Sequence, residues 1–179
     1  MKAAAVRLFT ALWPPAAVRE ALVALAARWQ WPAGAKPVAP ARLHATLHFL
    51  GLVDPDCVPL LRPVLDVPFE PVTLHPEAAR QAVWPGGIAV LELEVPSALR
   101  AWHERVSTAL RAAGFDVEAR AWRPHVTFAR KASHARPAPA CELPPWPVDD
   151  VALVRSTPGR GYEVLACFGR RPEDIAHVG

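Results

Sequence analysis

The chain has 179 residues, an apolar fraction of 52% and a formal net charge of +3, which fits one domain or two small lobes sharing a core. No uninterrupted apolar run approaches the roughly 20 residues a membrane span needs, and Met1-Lys2-Ala3-Ala4-Ala5-Val6 shows no separate signal region or cleavage site. Cys57, Cys141 and Cys167 are few, odd in number and unclustered, so they supply neither a disulfide framework nor a zinc spacing, and a reducing cytoplasm is the expected compartment.

Residues 6–13 read as an apolar strand stopped by Pro14-Pro15. Proline suits the first turn of a helix, because its φ is fixed and it has no amide hydrogen to leave unpaired. Val18, Leu22, Leu25 and Trp29 then recur at helical spacing, with Arg19, Glu20 and Arg28 off the stripe. Residues 30–42, punctuated by Pro32, Gly34, Pro37 and Pro40, read as a loop that delivers the chain to a strand containing His44. Residues 56–66 suggest another helix and 69–84 further strands. The order then repeats: a strand over 88–95, Pro96, a helix over 97–113 ended by Gly114, where a left-handed residue is wanted, and a strand containing His125. Residues 131–147 read as a proline-stiffened surface loop, or as a basic rim carrying Lys131, His134 and Arg136. Residues 151–155 and 162–168 form a hairpin across 156–161.

Within this order one pattern occurs twice: His44-Ala45-Thr46-Leu47 and His125-Val126-Thr127-Phe128. Random placement of the 7 histidines would give about 0.2 such His-x-Thr pairs, although a short motif always carries false-positive risk. On a strand, residues i and i+2 share a face, so each copy presents an imidazole beside a hydroxyl. Leu43, Ala45, Leu47 and Phe49 in the first copy, and Val126 and Phe128 in the second, form the alternating apolar set of a core-facing side. His44, Thr46 and His48 share the other face. The two histidines are 81 residues apart, and the same offset carries Pro15 onto Pro96, Val18 onto Leu99, Leu25 onto Val106 and Trp29 onto Leu110. The chain reads as a diverged duplication within a single two-lobed domain, residues 1–179.

Strands interspersed with helices, and alternation on the motif strands, predict an α+β fold. The expected form is bilobal: two antiparallel sheets related by a pseudo-twofold, helices on the outer faces, and His44 and His125 on opposite walls of a central cleft. Two imidazoles so placed suit phosphodiester chemistry without metal. One takes a proton from the attacking oxygen and the other gives one to the leaving oxygen, and a pKa near 6.5 makes both forms available. The Thr46 and Thr127 hydroxyls can donate hydrogen bonds to phosphate oxygens as charge develops.

A metal-dependent hydrolase is the competing use of such residues. His44 and His48 are separated by about 13 Å along an extended strand, whereas zinc needs ligand atoms about 2 Å away, so no metal or other cofactor is expected. A third reading is an RNA- or nucleotide-binding module that has lost catalysis, against which stand two intact proton-transfer groups. The basic residues are nearly all arginine, since Lys2, Lys36 and Lys131 are the only lysines. Arginine offers a planar fork for phosphate, but GC-rich codon usage also yields this excess and is the weightier explanation. Trp13, Trp29, Trp84, Trp102 and Trp122 sit in apolar settings and read as core or loop anchors. His75, His103, His134 and His177 lie at no matching motif spacing and read as surface residues.

Arg7-Leu8-Phe9-Thr10-Ala11, the segment from Leu43 to Gly51, Pro124-His125-Val126-Thr127-Phe128-Ala129-Arg130 and Tyr162-Glu163-Val164-Leu165 together resemble the two-histidine (2H) phosphoesterase superfamily. The resemblance is to its bacterial and archaeal RNA 2',3'-cyclic phosphodiesterases, long called 2'-5' RNA ligases, and covers nearly the whole chain. It implies metal-independent opening of a 2',3'-cyclic phosphate to a 2'-phosphate, with reversible 2'-5' joining of RNA ends as a related activity. By the resemblance His44 is the acid and His125 the base, Thr46 and Thr127 are phosphate ligands, and Arg130 lies near the phosphate. The last role requires the strand to end or bulge at Ala129, because strict alternation points Arg130 away from His125. The family often carries a second consecutive aromatic where Thr10 stands, so a base-stacking contact is expected to be lost here or taken by Phe9 or a nearby tryptophan. The implied substrates are RNA ends or small cyclic nucleotides, the implied state a monomer, with no membrane partner.

Overall fold

The computed structural model describes residues 5–76, 79–140 and 142–169. Cys141, His177 and the residues before Ala5 lie outside them. The elements run in the order β1 (Val6–Leu12), α1 (Ala16–Ala27), β2 (Lys36–Pro37), β3 (Ala45–Val53), α2 (Val58–Leu65), β4 (Val72–Leu74), β5 (Arg80–Trp84), β6 (Ile88–Glu92), α3 (Ser97–Ala112), β7 (His125–Arg130), β8 (Trp146–Val148), β9 (Asp150–Thr157) and β10 (Gly161–Gly169). This is a mixed α+β fold whose strands pair antiparallel.

The large sheet has the order β10-β9-β1-β3-β7-β6-β5, with β2 beside β7, and β4 pairs β8 in a separate two-stranded sheet. The β-α-β units β1-α1-β3 and β6-α3-β7 are therefore neighbours in one hydrogen-bonded path. They meet at a single pair, Ala45 opposite Val126. Pro15 and Pro96 occupy the N-cap positions of α1 and α3 in extended conformation, where a missing N–H costs the helix nothing. Gly114 ends the second helix at φ +82°.

Val18, Leu22 and Leu25 of α1 and Leu99, Trp102, Val106 and Leu110 of α3 bury their stripes in the same core as Leu8, Leu12, Ala45, Val126 and Phe128. Both helices thus cover one face of the sheet. Phe9, Ala11, Ala152 and Val154 form a smaller apolar cluster apart from that core, with Trp13 packed against it, as period-2 alternation along β1 requires. Residues 131–140 and 142–145 carry no strand, and this loop is tied to the end of α1 by reciprocal backbone bonds between Gln30 and Arg136.

Candidate active site

His44, Thr46, His125, Thr127 and Arg130 line one cleft of about 240 Å³. His44 lies immediately before the Ala45–Val126 pair on β3, and His125 immediately before it on β7, so the junction of the two β-α-β units brings both motifs together. The two imidazoles are held alike. The Nδ1 of His44 is 2.6 Å from the Arg42 carbonyl, and that of His125 is 2.7 Å from the Arg123 carbonyl. A carbonyl only accepts, so Nδ1–H donates in both rings and Nε2 is left for chemistry. The His44 Nε2 is 3.1 Å from Thr46 Oγ1, consistent with a hydroxyl donating to its lone pair.

Burial pushes the pKa of His44 below 6.5, opposed by the Arg42 carbonyl, with the charge of His125 lowering it further. Burial also lowers His125, against the Arg123 carbonyl, with the Arg123 guanidinium adding to the effect. Aromatic rings pack against both imidazoles. Trp13 stacks on His44 at 5.4 Å and 7°, and Phe9 at 5.0 Å. Trp84 lies 4.4 Å from the His125 ring. Trp13 and Trp84 are therefore parts of the site rather than loop anchors, while Trp29 and Trp102 are core residues.

Each motif strand bulges just after its threonine. On β3, Ala11 faces Thr46 and Thr10 faces His48, leaving Leu47 extra. On β7, Val90 faces Thr127 and Ala89 faces Ala129, leaving Phe128 extra. A bulge resets the alternation, so on β7 Phe128 and Ala129 are both buried and Arg130 turns to the cleft. On β3 it corrects two readings. His48 does not share a face with His44 and Thr46 but is buried at 2% exposure, and Phe49 leaves the core to line the cleft at 52% exposure.

Behind the sheet, the His48 Nε2 lies 3.2 Å from the His103 carbonyl and 3.0 Å from Ser107 Oγ, and its Nδ1 lies 3.0 Å from Thr10 Oγ1. The carbonyl fixes the proton on Nε2, so the Thr10 hydroxyl donates to Nδ1. Thr10 is fully buried on the core face of β1, so it offers no surface to a ligand in the cleft. Phe9 faces the cleft with only 4% exposure, its ring occupied by His44. His103 is half-buried rather than a surface residue: it stacks between His48 and Trp122 at 4.2 and 4.4 Å and donates from Nε2 to the Leu47 carbonyl at 2.9 Å.

Arg7 and Tyr162, which stand in the segments that carry the resemblance without a role assigned to them, and Arg42 and Ser156, outside those segments, also line the cleft. Period-2 alternation pairs Arg7 with Phe9 on β1, and register sets Ser156 opposite both Arg7 and Tyr162; these long-range pairings have no local signal. With Arg130 the cleft holds three guanidiniums, and no carboxylate is among its lining residues, which favours an anionic ligand. Lys131, His134 and Arg136 are not part of it. Among the described residues, no three His, Cys, Asp or Glu side chains are grouped to hold a metal.

The model of the 2'-5' RNA ligase superfamily matches residues 14–160. The chain is 35% identical over 194 residues to an RNA 2',3'-cyclic phosphodiesterase of Thermus thermophilus, covering 93% of this chain and 91% of that protein. The fold is similar to that of E. coli LigT in its apo form, with a TM-score of 0.81 and 26% identity over 93% of this chain and 98% of that one. LigT has also been solved with 3'-AMP and with phosphate. A family match across most of the chain, joined to a relative aligned almost end to end, makes this chain a member of the 2'-5' RNA ligase superfamily.

Proposed function

We propose that the protein is an RNA 2',3'-cyclic phosphodiesterase that opens the cyclic phosphate to a 2'-phosphate by metal-independent acid–base catalysis. The observation that carries this reading is the matched orientation of His44 and His125, each with Nδ1–H on a backbone carbonyl and Nε2 on the side away from it, both rings lining one arginine-rich cleft. Water attacks phosphorus in line with the P–O3' bond. His125 Nε2 takes the water proton, the new P–O bond forms, and the P–O3' bond breaks as His44 Nε2 protonates O3'. Thr46, Thr127 and Arg130 stabilise the charge on the non-bridging oxygens. With a 5'-hydroxyl in place of water, the same steps give a 2'-5' linkage.

The two β-α-β units act as halves of a bilobal, pseudo-twofold frame. Supporting this, Ala45 and Val126 are separated by the same 81 residues as the histidines, and a local twofold pairs each residue with its own equivalent. We place the activity in a reducing cytoplasm and assign a monomer; among the described residues no helix is long and apolar enough to cross a membrane. The reading is tested with RNA ending in a 2',3'-cyclic phosphate. His44→Ala and His125→Ala each lower turnover by about 10² to 10⁴ while circular dichroism stays unchanged, and chelators have no effect. Near wild-type turnover in either folded variant overturns the acid–base pair, and activity lost to chelator and restored by a divalent ion overturns metal independence.

A further inference from the structure

Phe49 and Arg130 are 81 residues apart, and each is the first residue returned to the cleft after its strand's bulge. The two walls thus place different chemistry at matching positions: a guanidinium on β7 and a half-exposed aromatic ring on β3. Phe49 is 52% exposed, in contrast to Phe9, whose ring is covered. The guanidinium of Arg7 sits 5.9 Å from the centre of the Phe49 ring, and Ser156 faces Arg7 across the β1–β9 pair. An open aromatic face beside a cation is the combination that takes a stacked base and its phosphate in single-stranded nucleic acid. With Leu47 bulged out, Thr46 and Phe49 face Ala11 and Phe9, two residues apart on β1, so Phe49 stands roughly 7 Å along the strand from Thr46 at 3.3 Å per residue and off from the reacting phosphate.

We propose that Phe49 and Arg7 form a subsite for the nucleotide on the 5' side of the cyclic-phosphate end. Phe49 stacks that nucleotide's base and Arg7 holds the phosphodiester that joins it to the terminal ribose. This rests on the phosphodiesterase reading and narrows its substrate class to RNA chains of two or more nucleotides over cyclic mononucleotides. A cyclic mononucleotide has neither the second base nor the bridging phosphate and leaves the subsite empty.

The test compares kcat/KM for adenosine 2',3'-cyclic monophosphate with that for ApA bearing a 2',3'-cyclic phosphate, in the wild type, Phe49→Ala, Phe49→Trp and Arg7→Gln. The wild type prefers the dinucleotide. Phe49→Ala lowers the dinucleotide-to-mononucleotide ratio by about 5- to 150-fold, the range that loss of one stacked base gives, and Phe49→Trp restores it. Arg7→Gln lowers the same ratio and flattens its dependence on salt. Equal kcat/KM for the two substrates in the wild type overturns the subsite and leaves the phosphodiesterase reading standing. An equal loss on both substrates in Phe49→Ala assigns Phe49 to the terminal nucleoside and also overturns it. Hydrolysis of neither substrate by the wild type overturns the phosphodiesterase reading itself.

Discussion

His48 and the two cleft histidines are buried to different ends. His48 has both ring nitrogens and its backbone N–H engaged, and burial, with the charge of His103 second, drives its pKa down to about 3. In the unfolded chain the group titrates near its ordinary 6.5. The folded state therefore binds fewer protons in between, and stability is complete above pH 6.5 and falls as pH drops toward 3. Between pH 8 and pH 5 this one group accounts for about 2 kcal/mol. His48→Asn, which keeps polar atoms but does not titrate, flattens the acid limb by about that amount in urea unfolding at the two pH values; an unchanged limb assigns the pH dependence elsewhere. For the cleft pair, the proposed acid–base mechanism requires an active form with one proton on the two rings. Both pKa values lie below 6.5 in the free protein, so kcat/KM peaks on the acid side of pH 6.5. The kcat profile, which reports the phosphate-bound enzyme, is displaced upward because the bound anion favours imidazolium. A kcat/KM maximum well above 7 contradicts the assignment.

The paired bulges govern the elements that form the cleft. Each leaves a backbone carbonyl without a ladder partner, and the two halves meet that need differently: the Leu47 carbonyl accepts from His103 Nε2 at 2.9 Å, the Phe128 carbonyl from Val38 N–H at 2.8 Å. Beside the first, the Thr46 carbonyl accepts from Trp122 Nε1 at 3.0 Å. Trp122 stands three residues before His125, so this bond ties the approach to one histidine to the strand of the other. Trp122→Phe keeps an aromatic ring beside His103 and removes the Nε1 donor together with part of the indole. It is expected to lower kcat by roughly 10- to 100-fold, the cost of a misplaced reacting group, with KM nearly unchanged where circular dichroism shows the variant folded; a matched rise in KM instead assigns Trp122 to substrate binding. The sequence displayed the His-x-Thr repeat, the helical stripes and the 81-residue offset because each is a local or periodic signal. It did not display the Leu47 bulge, since an inserted residue is set by pairing with β1. The places of His48 and Phe49 follow from that bulge, whereas Thr10 follows from plain alternation with Leu8 and Leu12 on β1, and His103 and Trp122 have partners 56 and 76 residues away in sequence.

At the scale of the molecule, a frame of two similar halves carries two dissimilar walls. The His44 wall is aromatic, with Phe9, Trp13 and Tyr162 around the imidazole. The His125 wall is polar: Glu92 accepts from Trp84 Nε1 at 2.6 Å and from Arg123 at 2.6 Å. Burial pulls the Glu92 carboxyl upward, but hydrogen bonds from Trp84, Arg80 and Arg123 hold it below the usual range, so it stays anionic near His125. That charge partly offsets the larger opposing effect of the Arg123 guanidinium on His125, and no carboxylate does the same for His44, which is in keeping with the proposed base at His125. In the proposed mechanism His44 is then the acid for O3', and the phosphate remains on O2'. Digestion of a cyclic-phosphate-ended RNA in ¹⁸O-water is expected to give a terminal 2'-phosphate as the main product with one ¹⁸O on phosphorus. A terminal 3'-phosphate as the main product would mean that the substrate lies reversed between the walls, exchanging the roles of His44 and His125 and moving the 5' side of the RNA away from Phe49 and Arg7.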